Sequence, residues 1–240
     1  MILHILLTLS HTINLQNGRV LRMRGTGPPV VFSSGLFGIC PHQAYNNLIK
    51  LLSCNLTILN IENGIKFMTV DDVEYIADVI NVDRVGLFTH SSFDPRILES
   101  PRLKKAVLCD PIGIPQISNI LKMKSFQPYV ETDAQILELR ANRLYDGKFK
   151  LPLLNQFEIK GDVETKFMDC GHVDLMDDSW VWLANKLGFW DMLSPTVVPF
   201  ENFEYKKKNH LKKLRHQYRQ SLADLSTSFF MKQDYPKKIS

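Results

Sequence analysis

The stretch Val85-Gly-Leu-Phe-Thr-His-Ser-Ser-Phe-Asp94 decides the predicted fold of this chain. Its first residues are apolar and predict a short buried strand, which leads directly into a polar turn. A serine on a sharp turn between a strand and a helix exposes its hydroxyl at the carboxyl edge of the sheet, where the next backbone N–H can bind a developing oxyanion. Ser91 is therefore the candidate nucleophile, and Ser92 replaces it if the register of the turn shifts by one residue.

Strands and helices alternate on both sides of this stretch. The apolar runs 30–32, 56–61 and 105–109 predict strands, whereas 41–52 and 70–80 have the spacing of helices. Such alternation is typical of a mainly parallel sheet that is covered on both faces. We therefore predict an α/β three-layer sandwich with a mostly parallel central sheet, in which functional residues collect at the carboxyl ends of the strands.

The second half of the chain has a weaker strand signal. Residues 112–150 include a helical stretch, Asp133 to Tyr145, and predict a small cap or lid over the sheet. The segments 157–159 and 165–168 are then predicted as the last two strands. On this interpretation residues 1–195 form one domain.

Residues 196–240 are predicted to form a basic helical extension. Their lysines and arginines are concentrated between Lys206 and Arg219. We expect a solvated helix face, with Leu211, Leu214 and Tyr218 docking on the body of the protein. The alternative is that this segment binds an anionic partner, either nucleic acid or a membrane surface.

Two further strand ends carry residues that suit nucleophilic chemistry. The run Ala106-Val-Leu-Cys-Asp-Pro111 ends a predicted strand at Asp110, where a carboxylate can orient a histidine and stabilise its imidazolium form. His172 follows Gly171 in the loop after the last predicted strand and is the candidate base. His90 is predicted to be a structural residue of the turn, and His42 receives no role.

The order Ser91, Asp110, His172 resembles that of the α/β-hydrolase superfamily, over about residues 1–190. The segment Gly171-His-Val-Asp-Leu-Met-Asp-Asp178 is similar to the histidine loop of its chlorophyllase-like and polyester-hydrolase-like branches, and the Asp110-Pro turn resembles that of lipases. The resemblance implies hydrolysis of a carboxylic ester or related small-molecule acyl substrate through a Ser-His-Asp triad, without cofactor or metal.

The resemblance also implies further site residues. The oxyanion donors would be the backbone N–H groups of Leu36 and Ser92. Asp162 occupies a second position that the superfamily uses for the acid, so it is the alternative to Asp110, and Asp174 and Asp94 are lesser candidates.

The turn around Ser91 departs from the superfamily's pattern. Thr89 and Phe93 stand where the G-x-S-x-G signature has glycines, and Pro95 limits any helix after the turn to a short one that starts near Asp94. The chain would therefore be a divergent member. The alternative function is that of a catalytically inactive binding protein with the same fold.

Composition limits the other classes of function. The chain has 240 residues, 45% of them hydrophobic, which suffices for one substantial core. Its net charge is only +4, which does not indicate nucleic-acid binding. The 4 cysteines match no zinc or CxxC spacing, no histidine, cysteine and carboxylate cluster has metal-ligand spacing, and no phosphate loop is present. Buried free thiols and an apolar start that predicts a strand rather than a signal peptide favour a cytoplasmic protein.

Overall fold

The fold is known from a computed structural model, which describes residues 10–15, 19–34, 42–62, 68–112, 129–141, 158–186 and 205–232. These residues form an 8-stranded sheet in the order β1-β2-β4-β3-β5-β6-β7-β8. The strands are β1 (Ser10–Asn14), β2 (Val20–Arg24), β3 (Pro29–Ser33), β4 (Thr57–Glu62), β5 (Val85–Ser92), β6 (Leu103–Ile112), β7 (Tyr129–Ala141) and β8 (Glu158–Met168). The pairs β1–β2 and β2–β4 are antiparallel, and the other five pairs are parallel.

Helices cover both faces of this sheet. They are α1 (Asn46–Leu52), α2 (Val70–Val79), α3 (Asp178–Lys186) and α4 (Tyr205–Met231), together with 3₁₀ helices at His42–Tyr45 and Pro95–Glu99. The helix α2 begins at a capping box, in which the Thr69 hydroxyl accepts from the Asp72 N–H and the Asp72 carboxylate accepts from the Thr69 N–H.

Two hydrophobic clusters lie on the opposite faces. Alternate residues of each central strand point to opposite sides, as the pleat of a strand requires. Phe88 and Val107 pack in the cluster that contains α1 and α4, whereas Leu87 and Ala106 pack in the cluster that contains α2. The predicted three-layer sandwich with a mostly parallel sheet is thereby confirmed.

The prediction of a helix from Asp133 to Tyr145 is wrong, because residues 129–141 form strand β7 between β6 and β8. Ile136 packs in the cluster on the α2 side and Leu137 packs in the cluster on the α1 side. A strand that is buried on both faces loses the alternation of apolar and polar residues, so its sequence resembles that of a buried helix. The rest of the predicted cap, 113–128 and 142–150, lies outside the described residues.

The two predicted final strands are one strand, β8. Gly161 lies between the two predicted segments, within the strand and opposite an irregularity in β7 between Glu131 and Gln135. A Cβ atom at Gly161 would lie 2.8 Å from the carbonyl oxygen of Thr132. Glycine is therefore needed there for close approach of two backbones rather than for a turn.

The basic C-terminal segment contributes to the core. Leu222, Ala223 and Phe230 of α4 belong to the cluster on the α1 side, and a Cβ atom at Gly86 would lie 2.7 Å from the Phe230 ring. Lys105 of β6 is 3% exposed and donates to the carbonyl oxygens of Phe229 and Lys232 at the end of α4.

Of the three α4 side chains that were predicted to dock on the body of the protein, two are described. Leu214 and Tyr218 are half-buried, whereas the side chain of Leu211 lies outside the described residues. Arg215 and Arg219 were predicted on the solvated face, but both are buried, so that prediction is wrong for these two arginines.

The described cysteines bear on the prediction of buried free thiols. Cys109 and Cys170 are buried free thiols, as predicted, whereas Cys54 is exposed. Burial raises the pKa of both buried thiols, and nearby carboxylates raise it further.

None of the described helices combines the length and the apolar composition that are needed to cross a bilayer. Residues 2–9, at the start of the predicted first strand, lie outside the described residues.

Candidate active site

Ser91 lies on a strained turn at the carboxyl end of β5. Its φ angle is 62°, in the left-handed region, which costs a residue other than glycine roughly 1–2 kcal/mol. Phe93 is 5% exposed and packs in the cluster on the α2 side. Asp94 then caps the 3₁₀ helix Pro95–Glu99, and its carboxylate accepts from the Arg96 N–H. The predicted short element after the turn is thus a 3₁₀ helix.

A buried chain of hydrogen bonds joins Ser91, His172 and Asp110. The Ser91 Oγ lies 3.0 Å from the His172 Nε2, and the His172 Nδ1 lies 3.2 Å from the Asp110 Oδ2. The three residues are 5%, 2% and 2% exposed, respectively. They come from the ends of β5 and β6 and from the loop after β8, which is the arrangement that the sequence predicted.

The second oxygen of Asp110 fixes the carboxylate. The Ala141 N–H, at the end of β7, donates to the Asp110 Oδ1 over 2.5 Å. A backbone N–H can only donate, so Oδ1 is occupied and Oδ2 is left to accept from the Nδ1–H of His172. With its proton on Nδ1, the imidazole presents the lone pair of Nε2 to the Ser91 hydroxyl. This is the tautomer that a general base for serine requires.

The alternative acids have other partners or positions. Asp162 lies on β8 opposite Gln135 and is exposed, six residues before the strand ends at Met168. Asp174 accepts from the Gly171 N–H over 2.8 Å and braces the loop that holds His172. Asp94 is the cap described above. Of the four candidates, Asp110 is the one that the structure brings to the imidazole.

The loop that carries His172 is anchored at its far end. The Asp177 N–H donates to the Ala44 carbonyl oxygen, and the Asn47 N–H donates to the Asp177 carboxylate. On the other side, Arg219 of α4 donates to the Met176 carbonyl oxygen over 2.7 Å.

Ion pairs with α4 continue this anchoring into α3. Arg215 and Arg219 both donate to the Asp178 carboxylate at the start of α3. Burial alone would raise the pKa of Asp178, but these two arginines lower it overall. The C-terminal helix therefore holds the segment that follows the candidate base.

His90 links the turn of Ser91 to the loop of His172. Its Nε2 lies 2.9 Å from the His172 carbonyl oxygen, and its Nδ1 lies 2.7 Å from the hydroxyl of Tyr45. Burial, together with the nearby His172, holds the pKa of His90 well below its usual value. The sequence predicted a structural role for His90 but gave no signal for Tyr45, because the two residues are 45 positions apart in the chain.

The remaining predicted site residues are only partly described. Leu36, a candidate oxyanion donor, lies outside the described residues, and the side chains of Ser92 and His42 are not described. The described residues contain no group of three or more histidines, cysteines and carboxylates that could hold a metal ion.

No family model matches the chain, and no curated protein sequence does. The chain resembles solved structures with which it shares between 9% and 14% sequence identity. An α/β hydrolase from a sediment metagenome of the lagoon of Mar Chica has 14% identity and a TM-score of 0.44, over 75% of this chain and 97% of that one. A serine hydrolase involved in carbazole degradation has 13% identity and a TM-score of 0.43, over 76% and 98%. A proline iminopeptidase-related protein from Thermus thermophilus has 13% identity and a TM-score of 0.45, over 78% and 98%.

Proposed function

We propose that this chain is a serine hydrolase of the α/β-hydrolase superfamily that acts on a carboxylic ester or a related acyl substrate. The observation that carries the proposal is the buried chain of hydrogen bonds from Ser91 through His172 to Asp110, which begins at a residue with a φ angle of 62°. Left-handed backbone at a residue other than glycine is concentrated at functional sites, where the surrounding structure holds it in place.

In the proposed reaction the Ser91 Oγ attacks the carbonyl carbon of the substrate as His172 Nε2 takes the hydroxyl proton. Asp110 stabilises the resulting imidazolium. The tetrahedral intermediate then collapses, the bond to the leaving alkoxide breaks, and His172 donates the proton to it. Water attacks the acyl-enzyme in the same way, which releases the acid and restores Ser91. The proposed donors to the oxyanion are the N–H groups of Ser92 and Leu36.

The second candidate function is that of a binding protein which has kept the fold and lost the reaction. It is favoured by one observation, the presence of Thr89 and Phe93 where the signature of the superfamily has glycines. Against it, Phe93 packs in the core on the α2 side, and Ser91 remains within hydrogen-bonding distance of His172. The Phe93 side chain therefore does not prevent contact between Ser91 and His172.

Labelling with a fluorophosphonate probe tests the proposal. We expect the wild-type protein to form an adduct that mass spectrometry locates on the peptide containing Ser91. Ser91→Ala should abolish the adduct, whereas the matched variant Ser92→Ala keeps the backbone N–H and should retain it. Turnover of short-chain p-nitrophenyl esters should follow the same order. A folded wild-type protein that neither reacts with the probe nor hydrolyses these esters would favour the inactive binding protein.

A further inference from the structure

The pair Tyr45 and His90 holds the candidate base through a contact to the main chain of His172 itself. The anchors at Met176 and Asp177 lie four and five residues after His172. The bond from His90 Nε2 to the His172 carbonyl oxygen is made at the base itself. Because His90 is the residue directly before Ser91, this bond links the main chain of the base to the side chain of the nucleophile's neighbour in the chain.

The chemistry of the two contacts assigns the protons. A carbonyl oxygen can only accept, so the Nε2 of His90 carries a proton. In a neutral imidazole the other nitrogen is then an acceptor, and the hydroxyl of Tyr45 donates to it. If the proton of His90 moved to Nδ1, two acceptors, Nε2 and the His172 oxygen, would face each other at 2.9 Å. The Tyr45 hydroxyl therefore stabilises the one neutral tautomer of His90 that can bind His172.

The charge state of His90 also matters, because its ring centroid is 4.6 Å from that of His172. His172 must become positively charged during the proposed reaction, and a second cation at this distance would oppose that change. Both rings are 2% exposed, so solvent screens such repulsion weakly. Burial and the nearby His172 lower the pKa of His90, which keeps it neutral.

Tyr45 is itself held firmly. It is 1% exposed, and its ring packs edge-on against Phe32 at a centroid distance of 5.3 Å. Its chain neighbours Ala44 and Asn47 make the backbone contacts to Asp177. One short segment at the start of α1 thus fixes both the far end of the loop and, through His90, its catalytic end.

We propose that Tyr45 and His90 are positioning residues for the Ser91–His172 pair: Tyr45 selects the tautomer of His90, and His90 holds the main chain of His172. This inference rests on the proposed function, since it concerns the base of that reaction. Neither residue is proposed to touch the substrate.

Two matched substitutions of His90 separate positioning from packing. In His90→Gln the side-chain amide nitrogen can reach the place of Nε2 and still donate to His172. In His90→Asn the amide nitrogen takes the place of Nδ1, too far from His172. We expect His90→Gln to react with the fluorophosphonate probe at close to the wild-type rate, whereas His90→Asn and Tyr45→Phe should react about 10- to 100-fold more slowly. Thermal melts of the variants, followed by circular dichroism, measure any loss of folding separately.

Three outcomes would overturn the inference. One is an equal loss of labelling in His90→Gln and His90→Asn, which would mean that the ring acts by packing alone. Another is a nitrogen-15 spectrum of the wild-type histidine side chains in which His90 carries its proton on Nδ1. If instead the wild-type protein itself is not labelled, the proposed function fails and this inference fails with it. A labelled wild type with equal losses in the two variants overturns the inference alone.

Discussion

Replacing Asp110 by asparagine would reverse the tautomer of the candidate base while keeping the shape of the side chain. The Ala141 N–H lies 2.5 Å from one carboxylate oxygen and can only donate. The amide introduced by Asp110→Asn must therefore turn its oxygen towards Ala141 and its NH₂ group towards the His172 Nδ1. That group donates, so Nδ1 has to accept, and the proton of the imidazole moves to Nε2. His172 then faces the Ser91 hydroxyl with a donor and cannot take its proton.

The size of the effect follows from what is lost. The variant keeps the space of the carboxylate and the bond from Ala141, but it loses both the correct tautomer and the negative charge that stabilises the imidazolium. Where an acid-to-amide change of this kind has been made in a Ser-His-Asp site, the turnover rate fell by about 10⁴. We expect a loss of about 10³ to 10⁴ in the rate of ester hydrolysis, which corresponds to roughly 4–5.5 kcal/mol of transition-state stabilisation.

The assay compares Asp110→Asn with Asp162→Asn in p-nitrophenyl ester hydrolysis and in fluorophosphonate labelling. Asp162 is exposed on β8, where it lies opposite Gln135, so its variant should keep the wild-type rates. Thermal melts of both variants guard against a loss of folding. If Asp110→Asn keeps its activity to within about tenfold of wild type, a tautomer-fixing role for Asp110 is refuted. If Asp162→Asn shows the large loss instead, the acid has been assigned to the wrong residue.

Two further predictions concern stability. Burial and the nearby His172 hold the pKa of His90 in the folded protein well below the value of about 6.5 that it has in an unfolded chain. The stability that His90 contributes is therefore present above about pH 6.5 and is lost as the pH falls below it. In urea titrations the wild type should lose stability relative to His90→Gln between pH 7.5 and pH 5.5, by at most about 1.4 kcal/mol, and a constant difference would contradict this. Lys105 donates to the Phe229 and Lys232 carbonyl oxygens, so Lys105→Met should lower the free energy of unfolding by about 2–4 kcal/mol. The control Lys213→Met, at an exposed position of α4, should leave that free energy nearly unchanged. Equal effects of the two variants would show that α4 does not depend on the Lys105 contact.

The sequence predicted Ser91, Asp110 and His172 at strand ends, since each of them follows a short apolar run, and the structure brings these three residues together. In a parallel sheet the carboxyl ends of the strands meet at one edge, so residues that are distant in the chain come together there. The position of Pro95 also predicted the short element after the turn, because proline is favoured at the first turn of a helix. The sequence left open whether Asp110 or Asp162 faces His172, because the position of Asp162 depends on where β8 ends.

The wrong predictions fall on residues whose structure leaves no local signal in the sequence. Some are buried on both faces, and others have partners that are distant in the chain. The helix predicted from Asp133 to Tyr145 is the doubly buried strand β7. Strand β8 was predicted as two strands, 157–159 and 165–168, because its pairing with β7 and the close backbone approach of Gly161 to Thr132 cannot be inferred from the sequence. Arg215 and Arg219 were interpreted as solvated, but their partner Asp178 lies 37 and 41 residues away in the chain.

The missing glycines around Ser91 can be understood from the contacts on either side of the turn. The left-handed backbone is at Ser91 itself, and there it costs roughly 1–2 kcal/mol. A conformation of that kind persists only where its surroundings determine it. Before Ser91, the His90 ring is held by Tyr45 and by the His172 carbonyl oxygen. After it, Phe93 is buried in the core and Asp94 caps the 3₁₀ helix. Fixed neighbours on both sides therefore hold the turn in a conformation that glycine would adopt more easily. The strained residue is Ser91, whose hydroxyl lies against His172.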